Sequence, residues 1–463
     1  MSNAEKRIAV IGGGITGLAA AYRLEQVEGI EYQLYEKTDR LGGKIQTELV
    51  DGFVIERGPD SFLARKESMS RLAREVGMEG ELLANDTGQA YVLKGEQLYP
   101  IPGGAVMGIP TEIKPFLSTP LFSAAGKLRA ARDLFLSPTL KANEDISLGH
   151  FFRRRLGDEV VDHLVEPLLS GIYAGDLNKL SLKATFPHFQ QLEQKHGSLI
   201  RGIKATRAPQ PKAMDKKSKG MFLSFRQGLE SFVHAIEQQL TPAAVRKNAD
   251  ISFIRKEGER YLIGLADGTI ESFDHIIMTT PPHVTARLLS AYPYFDYLRE
   301  MEATTVATVA LAFKEEAVNN PYEGTGFVVS KKSPYTITAC TWTHKKWQHS
   351  APLGYALLRS YVGRPDDSSI VERSDEEIVE TVLHDLKQIM EIEGQPEFFR
   401  VTRWRQSMPQ YHVGHTFKIA KIKEDVARNL PGLHLCGAAF EGVGLPDCID
   451  QGEAAVARIV QNL

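Results

Sequence analysis

A glycine-rich turn near the N-terminus constrains the fold of this chain more than any other feature. An apolar strand, Arg7–Ile11, leads into the turn, where Gly12, Gly14 and Gly17 fit the pattern G-x-G-x-x-G. A helical run follows, and a second apolar strand ends at Glu36. The first glycine permits the tight turn, the second lets backbone N–H groups approach a pyrophosphate, and the third lets the helix pack on the strand. An acid at the end of the second strand accepts hydrogen bonds from an adenosine ribose. The sequence therefore predicts a βαβ unit whose dinucleotide site includes Gly12, Gly13, Gly14, Ile15, Thr16, Gly17 and Glu36.

A second glycine pair follows the acid and narrows the choice of dinucleotide. Arg40, Gly42 and Gly43 would let another stretch of backbone enclose the pyrophosphate. Nicotinamide cofactors exchange at every turnover and seldom need such enclosure. The run from Glu36 to Lys44 resembles the flavin-binding signature of the amine oxidase superfamily and favours FAD. It adds four expected cofactor contacts: Lys37, Arg40, Gly43 and Lys44.

The same region also mimics a secretory signal, because Lys6 and Arg7 precede an apolar run that contains Ala19, Ala20 and Ala21. A signal core has no need of four glycines in six residues. Cleavage near Ala21 would also destroy the βαβ unit. We therefore expect an intact N-terminus and a cytoplasmic protein.

Composition agrees with a large globular enzyme. A chain of 463 residues exceeds one ordinary core, so we expect two or three domains. A formal net charge of −3 is too balanced to favour a nucleic-acid partner. No apolar run reaches the length of a transmembrane helix. Cys340, Cys436 and Cys448 show no C-x-x-C spacing, so we interpret them as apolar fillers, and neither a metal site nor covalent flavin attachment is expected.

The order of strand and helix patterns predicts an α/β fold class with a discontinuous cofactor domain. We expect an FAD-binding Rossmann-like parallel sheet with a β-meander, together with an α+β substrate domain that has an antiparallel sheet and a helical insertion. Long strands are predicted at Thr304–Phe313 and Ala356–Val362, and an amphipathic helix at Asp375–Met390. The expected bounds are 1–64, 220–290 and 400–463 for the FAD-binding domain, 65–110 and 291–399 for the substrate-binding domain, and 111–219 for the insertion.

Two segments of the insertion have distinct sequence patterns. A helical stretch from about 123 to 165 is predicted to end near Glu166–Pro167. Residues 204–219 are strongly basic and read as an exposed linker loop. Steering of an acidic substrate and peripheral contact with an anionic membrane are alternative interpretations of this loop.

The C-terminal region carries a second glycine-rich signal. A strand that ends near Gly437 is followed by Glu441–Gly452, which leads into the last helix. N–H groups at that helix start, with the positive end of the helix dipole, could face the pyrimidine edge of a flavin, where negative charge builds up on reduction. The predicted contacts there are Val443, Gly444 and Leu445.

Several motifs together resemble the porphyrinogen oxidases of haem synthesis. They are Gly12–Gly17, Gly58–Ser61, Glu166–Asp176, Met408–Tyr411 and Phe440–Ile449. The resemblance runs nearly end to end and is strongest to the soluble branch of Gram-positive bacteria, which oxidises coproporphyrinogen III. One departure is Ala438 after Gly437, where wider flavoenzymes often have an acid that contacts the ribityl chain.

The resemblance implies a six-electron oxidation of coproporphyrinogen III to coproporphyrin III. In each of three rounds a hydride would pass from a bridging carbon to flavin N5, and O2 would accept the electrons and give H2O2. The partners would be this tetrapyrrole, O2 and other haem-pathway enzymes that receive the product. The resemblance also implies flavin contacts from Ser61, Ile251 and Trp404. The turn that contains Gly58, Pro59 and Asp60 could lie under the isoalloxazine ring, and Gly437 is a further expected flavin contact. Because the substrate carries carboxylates, Arg65 and Lys66, just after this turn, are candidate clamps, and Tyr361 lies on a predicted strand of the substrate domain where its phenol could orient a pyrrole.

Other functions stay open at this point. A protoporphyrinogen IX oxidase would share every motif. An amine oxidase or a carotenoid desaturase would share the N-terminal signature but not Gly171–Asp176 or Val443–Cys448. A non-catalytic flavoprotein that carries tetrapyrrole is a further alternative. Tyr361 and Trp404 could also be ordinary core aromatics, and Arg65 and Lys66 ordinary surface charges.

Overall fold

The computed structural model describes residues 6–105, 107–110, 112–138, 144–206 and 221–462. Within these ranges no helix is both long enough and apolar enough to cross a membrane. The strands are β1 Lys6–Ile11, β2 Ile30–Tyr35, β3 Thr47–Val50, β4 Phe53–Glu56, β5 Phe62–Leu63, β6 Leu82–Ala84, β7 Tyr91–Lys94, β8 Gln97–Pro100, β9 Phe222–Phe225, β10 Val245–Arg246, β11 Ile251–Glu257, β12 Arg260–Leu265, β13 Ile270–Phe273, β14 His275–Met278, β15 Ala303–Lys314, β16 Val318–Asn319, β17 Gly326–Val329, β18 Ile337–Trp342, β19 Tyr355–Val362, β20 Glu391–Ile392, β21 Phe398–Pro409 and β22 Leu433–Leu435. The α-helices are α1 Ile15–Glu25, α2 Glu67–Glu75, α3 Ile113–Ser118, α4 Ala124–Ala131, α5 Leu148–Leu156, α6 Asp158–Val160, α7 Glu166–Tyr173, α8 Leu182–Thr185, α9 Pro187–His196, α10 Leu199–Thr206, α11 Leu229–Glu237, α12 Pro282–Leu288, α13 Asp296–Glu300, α14 Thr343–Lys346, α15 Asp375–Ile389, α16 His415–Asn429 and α17 Leu445–Val460.

The chain forms two compact units. Unit 1 consists of Met1–Ala84, Met221–Glu302 and Thr416–Leu463, and unit 2 consists of Asn85–Gly220 and Ala303–His415.

Unit 1 is built on a five-stranded parallel sheet in the order β10-β2-β1-β14-β22. Ile8 and Val10 of β1 face one hydrophobic core, and Ala9 and Ile11 face another. Because both faces of the strand are buried, β1 is a continuous apolar run rather than an alternating one.

Helices cover one face of this sheet, and the antiparallel meander β11–β13 contributes to the other core. Leu18 of α1, Phe232 of α11 and Val456 of α17 share the first core. Helices α1 and α17 approach closely because position 452 is glycine: a Cβ atom there would lie 2.3 Å from the backbone oxygen of Thr16. This packing fixes the position of the first turn of α1.

Unit 2 contains a seven-stranded sheet in the order β21-β15-β19-β18-β17-β7-β8, which is antiparallel except for the pair β17–β7. Val309 and Leu311 of β15 pack with Val382 and Leu386 of α15 on one face. The predicted fold class, a parallel sheet with a meander and a second antiparallel sheet, is thus confirmed.

The helical part of unit 2 surrounds a fully buried ion cluster. Arg155 of α5 lies 2.5 Å from Asp133 and 3.3 Å from Glu193 of α9, and none of the three side chains is exposed. The Asp133 carboxylate also accepts hydrogen bonds from Ser198 and from the backbone N–H of Ile200. The cluster therefore joins the helices of this region through charge as well as apolar contact.

One prediction for this region is wrong. The helix that starts at Asp158 does not end at Glu166–Pro167 but continues to Tyr173, with a π-helical turn at Val161–Val165. A proline ring clashes with the carbonyl one turn earlier in a regular α-helix. The wider π turn directly before Pro167 accommodates the ring, so the helix passes through.

The unit boundaries also differ from the expected ones. Residues 65–84 belong to unit 1, because Met69 and Leu72 of α2 pack into its first core. Residues 400–409 belong to unit 2, because β21 pairs with β15 along its length. The expected helical insertion and most of the expected substrate-binding domain share unit 2. Of the predicted basic loop, residues 204–206 end α10, and 207–219 lie outside the described residues.

Candidate functional site

The first glycine turn lies at the carboxyl end of β1 and opens α1. Gly14 is the N-cap of this helix, in an extended conformation, and no side chain caps the first turn. The first N–H groups of an α-helix have no partners within the helix and form the positive end of its dipole. Ile15, Thr16 and Gly17 therefore offer backbone donors suited to a pyrophosphate.

The three glycines of the pattern have different surroundings. Gly12 has a φ of +107°, and a Cβ atom there would lie 2.8 Å from Oγ1 of Thr279. A Cβ atom on Gly17 would lie 2.0 Å from the backbone oxygen of Gly12. A Cβ atom on Gly14 would meet nothing within 4 Å. The open space at Gly14, beside uncapped N–H groups, fits the close approach of a dinucleotide phosphate.

Glu36 is held in place at the end of β2. Its Oε2 accepts a hydrogen bond of 2.8 Å from the backbone N–H of Gly13, and its Oε1 accepts from the N–H and hydroxyl of Thr38. A carboxylate offers about four acceptor positions. The carboxylate thus keeps acceptor capacity for a ribose hydroxyl while its orientation is fixed.

The second glycine turn lies against the first. The N–H of Gly42 donates to the oxygen of Gly13 at 2.8 Å, and a Cβ atom on Gly43 would lie 3.3 Å from Cα of Gly14. Arg40 donates to the oxygen of Gly43 and forms an ion pair with Glu230 at 3.0 Å. The two turns that the sequence predicts to enclose a pyrophosphate are therefore neighbours.

The two lysines of this run lie in different environments. Lys37 forms a surface ion pair with Asp250 at 3.3 Å. The Lys44 side chain is in contact with solvent, but many protein atoms surround its ammonium group. The resulting loss of hydration disfavours the charged form and lowers the pKa of Lys44. Both side chains of the Lys37–Asp250 pair are largely exposed to solvent.

The C-terminal glycine segment is braced from α17. The N–H of Gly437, just after β22, donates to Oε1 of Gln451 at 3.1 Å. The amide group of Gln451 also donates to the oxygens of Glu441 and Asp447. Gly444 is the N-cap of α17, and Leu445 is its first residue. Val443, Gly444 and Leu445 thus lie at a helix N-terminus, as predicted.

The remaining predicted contacts of unit 1 lie in the turn between β4 and β5, beyond it and in the meander. Within Gly58–Ser61, the Ser61 hydroxyl donates to Asp60 at 2.7 Å. Arg65 is exposed, whereas Lys66 forms an ion pair with Asp447 in the first turn of α17. Ile251 is buried at the start of β11, just after Ala249, whose N–H donates to the oxygen of Glu36.

Tyr361 and Trp404 belong to unit 2. Tyr361 pairs with Thr308 across β19 and β15, and Trp404 pairs with Val306 across β21 and β15. Both lie on the sheet face opposite α15, and both are half-buried. The Arg359 guanidinium lies 5.0 Å from the ring centre of Tyr361. The structure thus places these aromatics on one surface of unit 2, while every other predicted site residue lies in unit 1.

Three supporting residues were missed by sequence reasoning. The Thr279 hydroxyl donates to the oxygens of Ile11 and Gly12 at 2.9 Å each, and so supports the first turn. Gln451 supports the C-terminal segment, and Glu230 links Arg40 to the N–H of Thr47. The small polar residues that directly follow the buried strand β14 were the available signal for Thr279.

Two cysteines, Cys436 and Cys448, are buried near the C-terminal glycine segment. Burial raises the pKa of Cys436 to about 12 and that of Cys448 to about 11. Burial thus disfavours the thiolate, which is the nucleophilic form of cysteine, in both residues.

Comparison with known proteins gives full-length matches. The model of the family described as flavin containing amine oxidoreductase matches residues 15–460. Coproporphyrinogen III oxidase of Bacillus subtilis (strain 168) is 52% identical, with 100% of each chain covered. Coproporphyrinogen III oxidase of Staphylococcus aureus (strain NCTC 8325 / PS 47) is 46% identical, with 99% of this chain and 100% of the relative covered.

A solved structure agrees with these matches. The crystal structure of an Exiguobacterium sp. 255-15 protein, assigned as a protoporphyrinogen oxidase, superposes with a TM-score of 0.89 at 40% identity, and 100% of each chain is covered. The two adjacent glycine turns suit the FAD cofactor that the sequence predicts, and the family model matches nearly the whole chain. The chain therefore belongs to the flavin-containing amine oxidoreductases.

Proposed function

We propose that this protein is an FAD-dependent oxidase of haem biosynthesis that converts coproporphyrinogen III to coproporphyrin III, with O2 as electron acceptor and H2O2 as product. One combined observation carries the proposal. The chain has two adjacent glycine turns suited to a dinucleotide, and it is 52% identical over its full length to a protein named coproporphyrinogen III oxidase. We further propose that it works in the cytoplasm and passes its porphyrin to another haem-pathway enzyme.

The residues of unit 1 would hold and polarise the cofactor. FAD, when bound, supplies a two-electron acceptor, so removal of six electrons requires three rounds. The N–H groups at the start of α1 would hold the pyrophosphate, and Glu36 would hold the adenosine ribose. The N–H groups at Val443–Leu445 and the positive end of the α17 dipole would stabilise negative charge at the pyrimidine edge.

Substrate recognition would use charged and aromatic side chains. A large flat macrocycle with carboxylates needs apolar walls and a few cationic anchors. We propose Arg65 and Lys66 as those anchors; the exposed Arg65 needs no change of partner, whereas Lys66 would exchange Asp447 for a substrate carboxylate. Tyr361 would orient a pyrrole through its phenol, and Trp404 would pack beside the flavin.

Anaerobic mixing of purified holoenzyme with reduced substrate tests the proposal. We expect coproporphyrinogen III to bleach the flavin absorbance, and porphyrin fluorescence and H2O2 to appear once O2 is admitted. Faster oxidation of protoporphyrinogen IX than of coproporphyrinogen III would favour the alternative substrate. Tetrapyrrole binding without bleaching would contradict an enzymatic role and favour a carrier.

A further inference from the structure

A cation lies over the ring of Tyr361 on the large sheet of unit 2. Arg359 and Tyr361 are two residues apart on β19, so their side chains project from the same face of the sheet. The central carbon of the Arg359 guanidinium lies 5.0 Å from the ring centre of Tyr361, within the range of a cation–π interaction. Because Tyr361 is the residue proposed above to orient a pyrrole, this neighbour is a candidate for a role in the same reaction.

The surface around Tyr361 is open, although β19 lies inside the sheet. Tyr361 pairs with Ala339 of β18, and Ala339 pairs with Val328 of β17. All three residues are partly exposed, although each of these strands has a neighbouring strand on both sides. This row of residues therefore offers a surface that a macrocycle can contact.

Arg359, in contrast, lies in a covered part of the same face. It is only 3% exposed, and its neighbours across the two adjacent strands are Ala310 and Thr341. A guanidinium that protein atoms cover in this way is out of reach of a substrate carboxylate. The burial therefore argues against Arg359 as a direct substrate anchor and favours a role that acts through its more exposed neighbour, Tyr361.

The chemistry of a porphyrinogen explains why the direction of the Tyr361 hydroxyl matters. Every pyrrole nitrogen of this substrate carries a hydrogen and has no lone pair available to accept a hydrogen bond. The phenol oxygen must therefore act as the acceptor for a pyrrole N–H. Its position depends on the side-chain torsion angles of Tyr361, which is only half-buried. A buried cation over the ring restricts those torsion angles.

We propose that Arg359 is a positioning residue, which holds the ring of Tyr361 so that the phenol oxygen meets a pyrrole N–H of the substrate. The inference rests on the proposed function, because it assigns a supporting residue to the same site. Arg359 itself would not contact the substrate. Removal of the guanidinium should let the ring adopt other rotamers, so its effect on catalysis should depend on the presence of the phenol hydroxyl.

A double-mutant cycle with purified holoenzyme tests this dependence. Arg359→Leu should lower kcat/KM for coproporphyrinogen III about fivefold, which is the loss expected for Tyr361→Phe. The variant with both substitutions should be at most ~twofold slower than Tyr361→Phe alone, because no hydroxyl remains to be positioned. Additive losses, about 25-fold in the double variant, would overturn the proposal and indicate a purely structural role for Arg359. Equal rates for Arg359→Leu and the wild type would also overturn it.

The matched control is Arg400→Leu. Arg400 of β21 pairs with Ala310 from the side opposite to Arg359, on the same face of the sheet. Its guanidinium lies 5.1 Å from the ring centre of Phe398, an aromatic residue without a hydroxyl. This control should keep the wild-type kcat/KM. Equal losses in Arg400→Leu and Arg359→Leu would overturn the specific role of Arg359.

Conservative variants keep the test decisive. Arg359→Lys retains a cation near the ring and should keep at least about half of the wild-type kcat/KM. A loss in Arg359→Lys as large as in Arg359→Leu would overturn the cation as the positioning contact. If Arg359→Leu yields no folded holoenzyme, as judged by FAD content and thermal unfolding, Arg359→Gln removes the charge and repeats the cycle.

The outcomes separate this inference from the proposed function. A wild-type holoenzyme that does not oxidise coproporphyrinogen III would contradict the proposed function, and this inference with it. An active wild type whose Arg359 and Tyr361 variants show additive losses would overturn only the positioning role of Arg359.

Discussion

At the scale of single residues, the three glycines of the first turn perform different tasks. Gly12 adopts a positive φ, Gly17 lets the turn and the helix touch, and Gly14 keeps space open beside uncapped N–H groups. Within the pattern G-x-G-x-x-G, the fold thus requires glycine at positions 12 and 17, whereas the proposed ligand requires it at position 14. Substitution at Gly14 and at Gly17 should separate these requirements.

Gly14→Ala should fold normally and bind FAD poorly. Alanine suits the extended backbone there, and its methyl group would occupy only the open space. Gly17→Ala should lower the unfolding temperature even without FAD, because its methyl group would lie 2.0 Å from a backbone oxygen. Thermal unfolding of both apoproteins and FAD titration measure the two effects.

The control for this pair is Gly80→Ala. Gly80 also has open space around it and lies away from the glycine turns. The control should match the wild type in FAD affinity. An unchanged FAD affinity in Gly14→Ala would contradict the proposal that a phosphate of FAD lies in the open space at Gly14.

Tyr361→Phe should lower kcat/KM for the porphyrinogen about fivefold while FAD content stays unchanged. The expected loss corresponds to one hydrogen bond of about 1 kcal/mol between the phenol and a pyrrole. Tyr99→Phe is the control, since Tyr99 is a half-buried tyrosine in the same unit whose hydroxyl donates to Oε1 of Gln97 at 2.9 Å. Steady-state porphyrin fluorescence measures both variants, and equal rates for Tyr361→Phe and the wild type would remove Tyr361 from the site.

The positions of single residues were predictable where the motif is local. Gly12–Gly17 and Glu36 depend on one βαβ unit, whose parts are adjacent in sequence. The pairing of Lys66 with Asp447 spans 381 residues, and no spacing rule shows it. The ion pair between Lys37 and Asp250 also joins residues that are far apart in sequence. Sequence patterns therefore did not show that Lys37 forms a surface ion pair.

At the scale of elements, the buried ion cluster should dominate the stability of the helical part of unit 2. Arg155→Met would leave Asp133 and Glu193 as buried charges without their shared cation. Loss of one partner of a buried pair costs about 3 to 5 kcal/mol. Arg428→Met, which removes an exposed pair with Glu424, should be neutral. Urea denaturation of both variants tests this contrast. Similar denaturation midpoints for Arg155→Met and Arg428→Met would refute it.

Histidines on two neighbouring strands of the parallel sheet should make unit 1 acid-sensitive. The rings of His275 and His434 lie 5.8 Å apart. Burial lowers the pKa of His434 to about 4, and burial also lowers the pKa of His275. The unfolded chain therefore takes up protons more readily than the folded one as the pH falls below about 6.5.

The His434 contribution to stability should be complete above pH 6.5 and be lost progressively down to pH 4. We expect it to amount to roughly 2 to 3 kcal/mol. The free energy of unfolding in urea, compared between pH 7 and pH 5, should fall less for His434→Gln than for the wild type. His384→Gln, on the exposed side of α15, is the control and should keep the wild-type slope. If the free energy of unfolding changed equally with pH in all three proteins, His434 would not be a source of the acid sensitivity.

Elements were predictable where periodicity and caps agree. Helix α15 begins at the predicted Asp375, and Ser374 and Glu377 form a capping box there. Strands β15 and β19 include the predicted ranges because long apolar runs favour buried strands. The helix through Pro167 was missed, because a π turn leaves no signal in hydrophobic periodicity.

At the scale of the whole molecule, removal of FAD should loosen unit 1 selectively. The glycine turns and the C-terminal segment all lie in unit 1, and a ligand that binds only the folded state stabilises it. In the apoprotein, backbone amides of residues 12–17, 42–44 and 443–448 should exchange hydrogen faster. Strands β15 and β19 of unit 2 should keep their protection. Hydrogen exchange before and after reconstitution measures this, and equal changes in both units would contradict it.

The fold class was predictable from sequence, whereas the boundaries of the units were not. The parallel sheet follows from βαβ signals and buried strands. The assignment of 65–84 depends on the packing of Met69 and Leu72 in a distant core, and that of 400–409 depends on long-range pairing with β15. Sequence patterns report local periodicity and carry little information about such contacts.

The parallel sheet of unit 1 has a consequence for biosynthesis on the ribosome. Its neighbouring strands β1, β14 and β22 begin at residues 6, 275 and 433. Translation delivers these strands in that order, so a nascent chain has its first glycine turn long before the edge strand β22 and helix α17 exist. The C-terminal glycine segment can contribute to a flavin site only once β22 and α17 have been made, so we expect flavin loading to follow the synthesis of residues 433–460.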